Sequence, residues 1–155
     1  MGKFNGKISA QFTAPKTWVL EKTLSFKTDK LAPADIETFK EVKANVDSNG
    51  RVTCKTGMKT DLASVPRVAW AVIAPWDVAR AAVIHDHLYA VLRSYYNSEG
   101  MNKKTWRRAR KLSDKVFLWG MKSADPKVSV FKIYSAYWSV RLFGRWPASS
   151  DVKEN

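Results

Sequence analysis

The residue order predicts an α+β fold: a small N-terminal antiparallel β-sheet followed by three C-terminal helices. Three observations carry this. Short alternations of apolar and polar residues fill the first third of the chain. Helix-length segments with apolar spacings of three and four fill the second half. Turn and cap residues fall at the junctions. The 155 residues read as one domain, with a β-rich part over 1–56, an irregular connector over 57–76, a helical part over 77–146 and a tail over 147–155.

In the β-rich part, Ile8, Ala10 and Phe12 alternate with polar neighbours. Trp18, Leu20, Leu24 and Phe26 share a parity that Lys22 interrupts. Lys30–Asp35, with Pro33, reads as a loop. Asn49-Gly50 is a tight-turn signal between strands expected over Phe39–Val46 and Arg51–Lys55. The connector holds Gly57, Pro66 and Pro75.

Asp77 is expected to cap a first helix over Val78–Tyr95, which Asn97-Ser98-Glu99-Gly100 ends. Asn102 caps a second helix, Lys103–Lys122. Asp125-Pro126 begins a third, Lys127–Phe143, closed by Gly144. The polar tail from Pro147 is expected to fray.

With 45% apolar and 26% charged residues, the composition is globular and not that of a disordered chain. The net charge of +13 predicts attraction to an anionic surface, whether membrane, nucleic acid or acidic protein, weakening with salt. The lone Cys54 excludes an intramolecular disulfide and reads as a small strand hydrophobe. Met1–Lys7 lacks the apolar core of a signal peptide. The longest apolar run, Val68–Trp76, is too short to span a bilayer, so no transmembrane segment is expected.

The densest chemical signal is Ala81-Ala82-Val83-Ile84-His85-Asp86-His87-Leu88-Tyr89. At about 100° per residue, Ala82, His85, Asp86, Tyr89 and Arg93 share one sector of the first helix. Ala81, Ile84, Leu88 and Leu92 form the adjoining apolar stripe. His87 falls outside and is expected at the surface. On the second helix Asp114 lies between two apolar sets, Leu112, Val116 and Trp119 on one side and Phe117, Gly120 and Met121 on the other. If the helices pair antiparallel, Asp114 reaches the His85 ring. A histidine oriented by a carboxylate is a general base, which makes His85, Asp114 and Tyr89 the candidate catalytic set. Asp86 is then left for a cation, and Asp61 and Arg93 line the site. Ser64 lacks the Gly-x-Ser-x-Gly context of a nucleophile. The same residues also read as a buried polar network that fixes helix register.

Lys103, Lys104, Arg107, Arg108, Arg110 and Lys111 make the start of the second helix strongly basic around Trp106. They are the candidate polyanion contacts, to nucleic-acid phosphates or to anionic lipid headgroups. No zinc-finger, ribonucleoprotein or helix-turn-helix signature accompanies them, so sequence-specific readout is not expected.

Two resemblances rest on these residues. The phrases Gly57–Arg67 and Ala82–Tyr89, then Asp114 with Phe117 and Met121, resemble the phage-associated domain of unknown function 1353. That resemblance implies a phage or prophage origin, with the host cytoplasm or the virion as location and other phage proteins as partners. It carries no activity. His85-Asp86-x-x-Tyr89 with a basic helix bearing Asp114 is similar to the helix pair of phospholipases A2, especially prokaryotic ones. There the histidine activates water, the adjacent aspartate holds Ca2+, and a second aspartate, braced by the tyrosine, supports the histidine. The similarity implies those roles for His85, Asp86, Asp114 and Tyr89. Three functions stay open: a His/Asp hydrolase, a non-catalytic virion or host-inhibitor protein, and a non-specific nucleic-acid binder.

Overall fold

The computed structural model describes residues 2–13, 17–60 and 75–149, with only the backbone at 75–77. Asp61, Ser64 and most of the connector lie outside the described residues. The elements run β1 (Lys3–Phe4), β2 (Ala10–Thr13), β3 (Thr17–Leu20), β4 (Leu24–Lys27), α1 (Pro33–Glu41), β5 (Arg51–Cys54), β6 (Lys59–Thr60), α2 (Pro75–Tyr96), α3 (Lys103–Lys122), α4 (Val130–Phe143) and α5 (Arg145–Ser149). The class is α+β, with strands in the N-terminal half and helices after them.

The strands form two small antiparallel sheets where one was expected, ordered β1-β4-β5 and β2-β3-β6. The shared parity of Trp18, Leu20, Leu24 and Phe26 is therefore divided between sheets at the bend around Lys22. In the first sheet Leu24 faces Cys54 and Phe26 faces Val52. All four are buried, so one face of this sheet is a set of apolar cross-strand pairs turned to the core. Cys54 packs against the middle of α2, its Sγ 4.0 Å from the Val83 carbonyl oxygen. Burial, with the nearby Asp86 charge, pushes its thiol up to about 12, so it stays an uncharged core side chain.

Two expectations fail between residues 30 and 46. Pro33 opens a helix, and Phe39 lies inside it. Proline suits the first helical position, where no N–H is needed. Asp35, two residues on, accepts a hydrogen bond at 3.2 Å from the backbone N–H of Ala32, the cap residue. The helix stops as Lys43 takes φ 62°. Of the strand expected over Phe39–Val46, one isolated bridge remains, Val46 with Val52. The Asn49-Gly50 turn is present: Asp47 Oδ1 accepts from the backbone N–H groups of Asn49 and Arg51, both at 2.9 Å. Gly50 has φ 73°, and a Cβ there would lie 2.4 Å from the Thr28 carbonyl oxygen.

The helices follow the sequence more closely. α2 starts at Pro75, so Asp77 lies within the helix instead of capping it. The cap of α3 is Asn102, whose side chain accepts from the backbone N–H of Lys104 and Thr105. α4 starts at Val130 behind a Ser129 cap, three residues later than expected, with Asp125-Pro126 ahead of it. α4 ends at Phe143 with Gly144 as its C-cap, as expected; at φ −70° the cap stays right-handed, and α5 follows at Arg145. A Cβ at Gly144 would lie 2.4 Å from the Tyr89 hydroxyl, and that close approach is why glycine stands there. The expected fraying tail is instead docked through residue 149. The Pro147 carbonyl accepts from Arg93 at 2.9 Å and the Ala148 carbonyl from the Trp106 indole at 3.3 Å.

α2 and α3 lie side by side, with α4 against α3, α5 against α2 and α1 against α3. α4 buries Ile133, Ala136 and Val140. Its other side exposes Phe131, Trp138 and Leu142, and Trp146 of α5 is 79% exposed. None of the helices among the described residues is long and apolar enough to cross a membrane.

Candidate functional site

The apolar stripes of α2 and α3 drive the two helices together and carry polar side chains into the seam with them. His85, Tyr89 and Asp114 are each 0% exposed. His85 Nε2 lies 2.9 Å from Asp114 Oδ1. The Tyr89 hydroxyl donates to the same oxygen at 2.7 Å. Arg141, from the far end of α4, donates to Asp114 Oδ2 at 2.5 Å. The His85 ring lies between aromatic neighbours, with ring centroids 4.1 Å from Tyr89 and 4.9 Å from Phe117.

Burial on its own would raise the Asp114 carboxyl. The hydrogen bonds from His85, Tyr89 and Arg141 and the His85 charge outweigh it and hold the group below its ordinary range. Asp114 is thus a buried anion. The Tyr89 phenol is pushed up, first by burial and then by the Asp114 charge and hydrogen bond, so it remains a neutral donor. A carboxylate only accepts. His85 Nε2 therefore carries the hydrogen, and in the neutral ring the basic lone pair is on Nδ1.

The structure thus brings together His85, Tyr89 and Asp114. It adds Arg141, whose role was not read from the sequence. Arg93, expected to line the site, donates to the Pro147 carbonyl. Asp86 hydrogen-bonds Thr60 of β6, which ties α2 to the second sheet. Asp61 follows Thr60 directly and lies outside the described residues. His87 is half-buried and not at the surface. Burial lowers its pKa against a smaller opposing pull from Asp86, and its Nε2 has no hydrogen-bond partner among the described residues.

Calcium takes about six to eight oxygen ligands. Among the described residues Asp86 is joined by the Thr60 hydroxyl, and no group of three His, Cys, Asp or Glu side chains stands together.

Two hollows flank the seam. A groove of about 690 Å3 runs from Ile8, Trp18 and Leu20 to Val83 and Thr60, with Lys7, Arg80 and Asp125 on its wall. It meets the seam through Thr60, the partner of Asp86. The second hollow, of about 370 Å3, lies at the opposite end of α3 and is lined mainly by cations. The basic residues of α3 separate accordingly. Lys103, Arg107, Arg110 and Lys111 line this hollow. Arg108 is instead paired with Asp35 of α1 at 2.9 Å, and Lys104 is exposed outside the hollow.

A family model described as a protein of unknown function, DUF1353, matches residues 36–140 of the 155. The chain belongs to that family. The match spans most of α1, then β5, β6, α2, α3 and most of α4, and so includes every member of the buried cluster except Arg141. No curated protein and no solved structure matches the chain.

Proposed function

We propose that the chain is a hydrolase in which His85 is the general base and the substrate is an ester with an apolar acyl group. One observation carries the reading: the anionic Asp114, held by three donors, fixes His85 with its basic nitrogen turned away from the carboxylate. His85 takes a proton from water, the resulting hydroxide adds to the acyl carbonyl carbon, and the proton returns to the alkoxide as the ester C–O bond breaks. Tyr89 and Arg141 keep Asp114 charged, so that the imidazolium formed on the way is stabilised. The groove ending at Thr60 supplies an apolar surface for the acyl chain, and Lys7 and Arg80 supply cations for an anionic headgroup. The likeness of the helix pair to phospholipases A2 supports the same reaction class. A phage or prophage source, with the host cytoplasm or the virion as location, belongs to this reading through the family phrases quoted above.

A second reading is favoured by the complete burial of His85 and Tyr89: the network serves only to lock α2 against α3, in a virion or host-interaction protein. His85→Asn separates the two. The hydrolase reading expects release of fatty acid from anionic diacylphospholipid vesicles to fall by about 10²- to 10⁴-fold, with the melting temperature nearly kept. Wild-type protein that releases no fatty acid, together with a variant that unfolds, supports the structural reading and overturns the first.

A further inference from the structure

We propose that the cationic hollow beside α3 is a binding site for a phosphate group. Its volume, about 370 Å3, falls in the range of about 300–1,000 Å3 common to ligand sites. Four of its cations come from α3 (Lys103, Arg107, Arg110 and Lys111), one from the end of α4 (Arg141) and one from the start of α5 (Arg145). The docking of α5 brings them together, through the Arg93–Pro147 and Trp106–Ala148 hydrogen bonds. No carboxylate lines the hollow among the described residues.

Two observations point to an anionic ligand. Among the described residues, one of these six cations has a carboxylate partner, and that is Arg141 through Asp114. Separately, Arg110 Nη1 is buried with no hydrogen-bond partner among the described residues, although its guanidinium lies over the Trp106 ring at 6.0 Å. A charged N–H buried without an acceptor is unfavourable, and so is gathering like charges around one hollow. A phosphate answers both: it carries more than one negative charge, and its oxygens accept in pairs from arginine forks. A carboxylate ligand would leave most of the charge uncompensated.

The phosphate has two sources with the same chemistry, a lipid headgroup or a soluble phosphate. Two of the hollow's cations have exposed apolar neighbours in sequence, Leu142 beside Arg141 and Trp146 beside Arg145, and residues 126–150 contain no Asp or Glu. Such a surface suits an anionic bilayer.

The test is calorimetric titration of the full chain with inorganic pyrophosphate, followed by vesicle sedimentation. Saturable binding is expected. Arg107→Gln and Lys111→Gln should each weaken it by about tenfold or more, as loss of a charge-assisted hydrogen bond does. Lys104→Gln, on the same helix but outside the hollow, should leave it nearly unchanged. Arg110→Met should raise the melting temperature without ligand and abolish the rise that pyrophosphate produces in the wild type. A preference for phosphatidic acid over phosphatidylserine vesicles, lost in Arg107→Gln, assigns the headgroup as source. Pyrophosphate binding with no preference between vesicles assigns a soluble phosphate. No pyrophosphate binding, or equal weakening by Lys104→Gln and Arg107→Gln, overturns the site. Binding is read without turnover, so this result is independent of whether His85 is a base.

Discussion

Two charged regions of this protein follow opposite rules. In the α2–α3 seam one buried anion, Asp114, meets three donors, so the charge is saturated. At the end of the same helix six cations surround a hollow, and among the described residues only Asp114 answers any of them, through Arg141. Arg141 belongs to both places, one side of its guanidinium committed to Asp114 while the residue lines the hollow. The contrast teaches how to read buried charge. A saturated network is complete in itself, and removing its acceptor leaves the donors stranded. An unsaturated cluster is complete only with something added, and removing a member relieves it.

Substitution at Asp114 should break this contrast most sharply. Asp114→Ala leaves His85, Tyr89 and Arg141 without their acceptor, and an expected loss of about 3–5 kcal/mol in urea unfolding follows from stranding buried polar and charged groups. The same measurement on Arg110→Met should show no loss. If both variants lose stability alike, the two regions do not differ in the way described.

A smaller effect is expected at the point where the network touches the chain end. Gly144→Ala places a methyl group 2.4 Å from the Tyr89 hydroxyl and 2.3 Å from the Val140 carbonyl oxygen. Overpacking of this kind costs about 1–3 kcal/mol. Thermal unfolding of Gly144→Ala in the Tyr89→Phe background sharpens the comparison, because removing the hydroxyl should recover part of the loss. An equal loss in both backgrounds would place the strain at the backbone instead.

The sequence made the seam legible because its signals are local and periodic. His85, Asp86 and Tyr89 lie at helical spacing, Asp114 lies between two apolar stripes, and Asn102 is a side-chain cap whose two hydrogen bonds are formed. Those are enough to place a carboxylate opposite an imidazole. Pro33–Glu41 was obscured by competing signals. The Asn49-Gly50 turn invites a strand before it, and Pro33 reads as a loop residue unless Asp35 is noticed as the helix-start partner of Ala32. α5 was illegible because its order comes from tertiary hydrogen bonds to Arg93 and Trp106, and a short polar segment carries no trace of them. Arg141 had one available signal. A carboxylate buried beside a histidine and a tyrosine still has a second oxygen to satisfy, and a cation from the next helix is the natural donor. Gly144 closes α4 as expected, and its lack of a side chain also makes room for Tyr89.

The most direct test of the account is an NMR pH titration of the Asp114 carboxyl carbon, read together with the His85 Nε2 proton. Because the folded state holds Asp114 below its ordinary 3.8, the carboxylate stabilises the fold above that pH, and this contribution is lost as pH falls below it. The account predicts that Asp114 stays ionised down through pH 3.8 while the protein is folded, with a slowly exchanging hydrogen on His85 Nε2. A carboxyl group that takes up its proton near or above 3.8, or a His85 whose hydrogen sits on Nδ1, would contradict it.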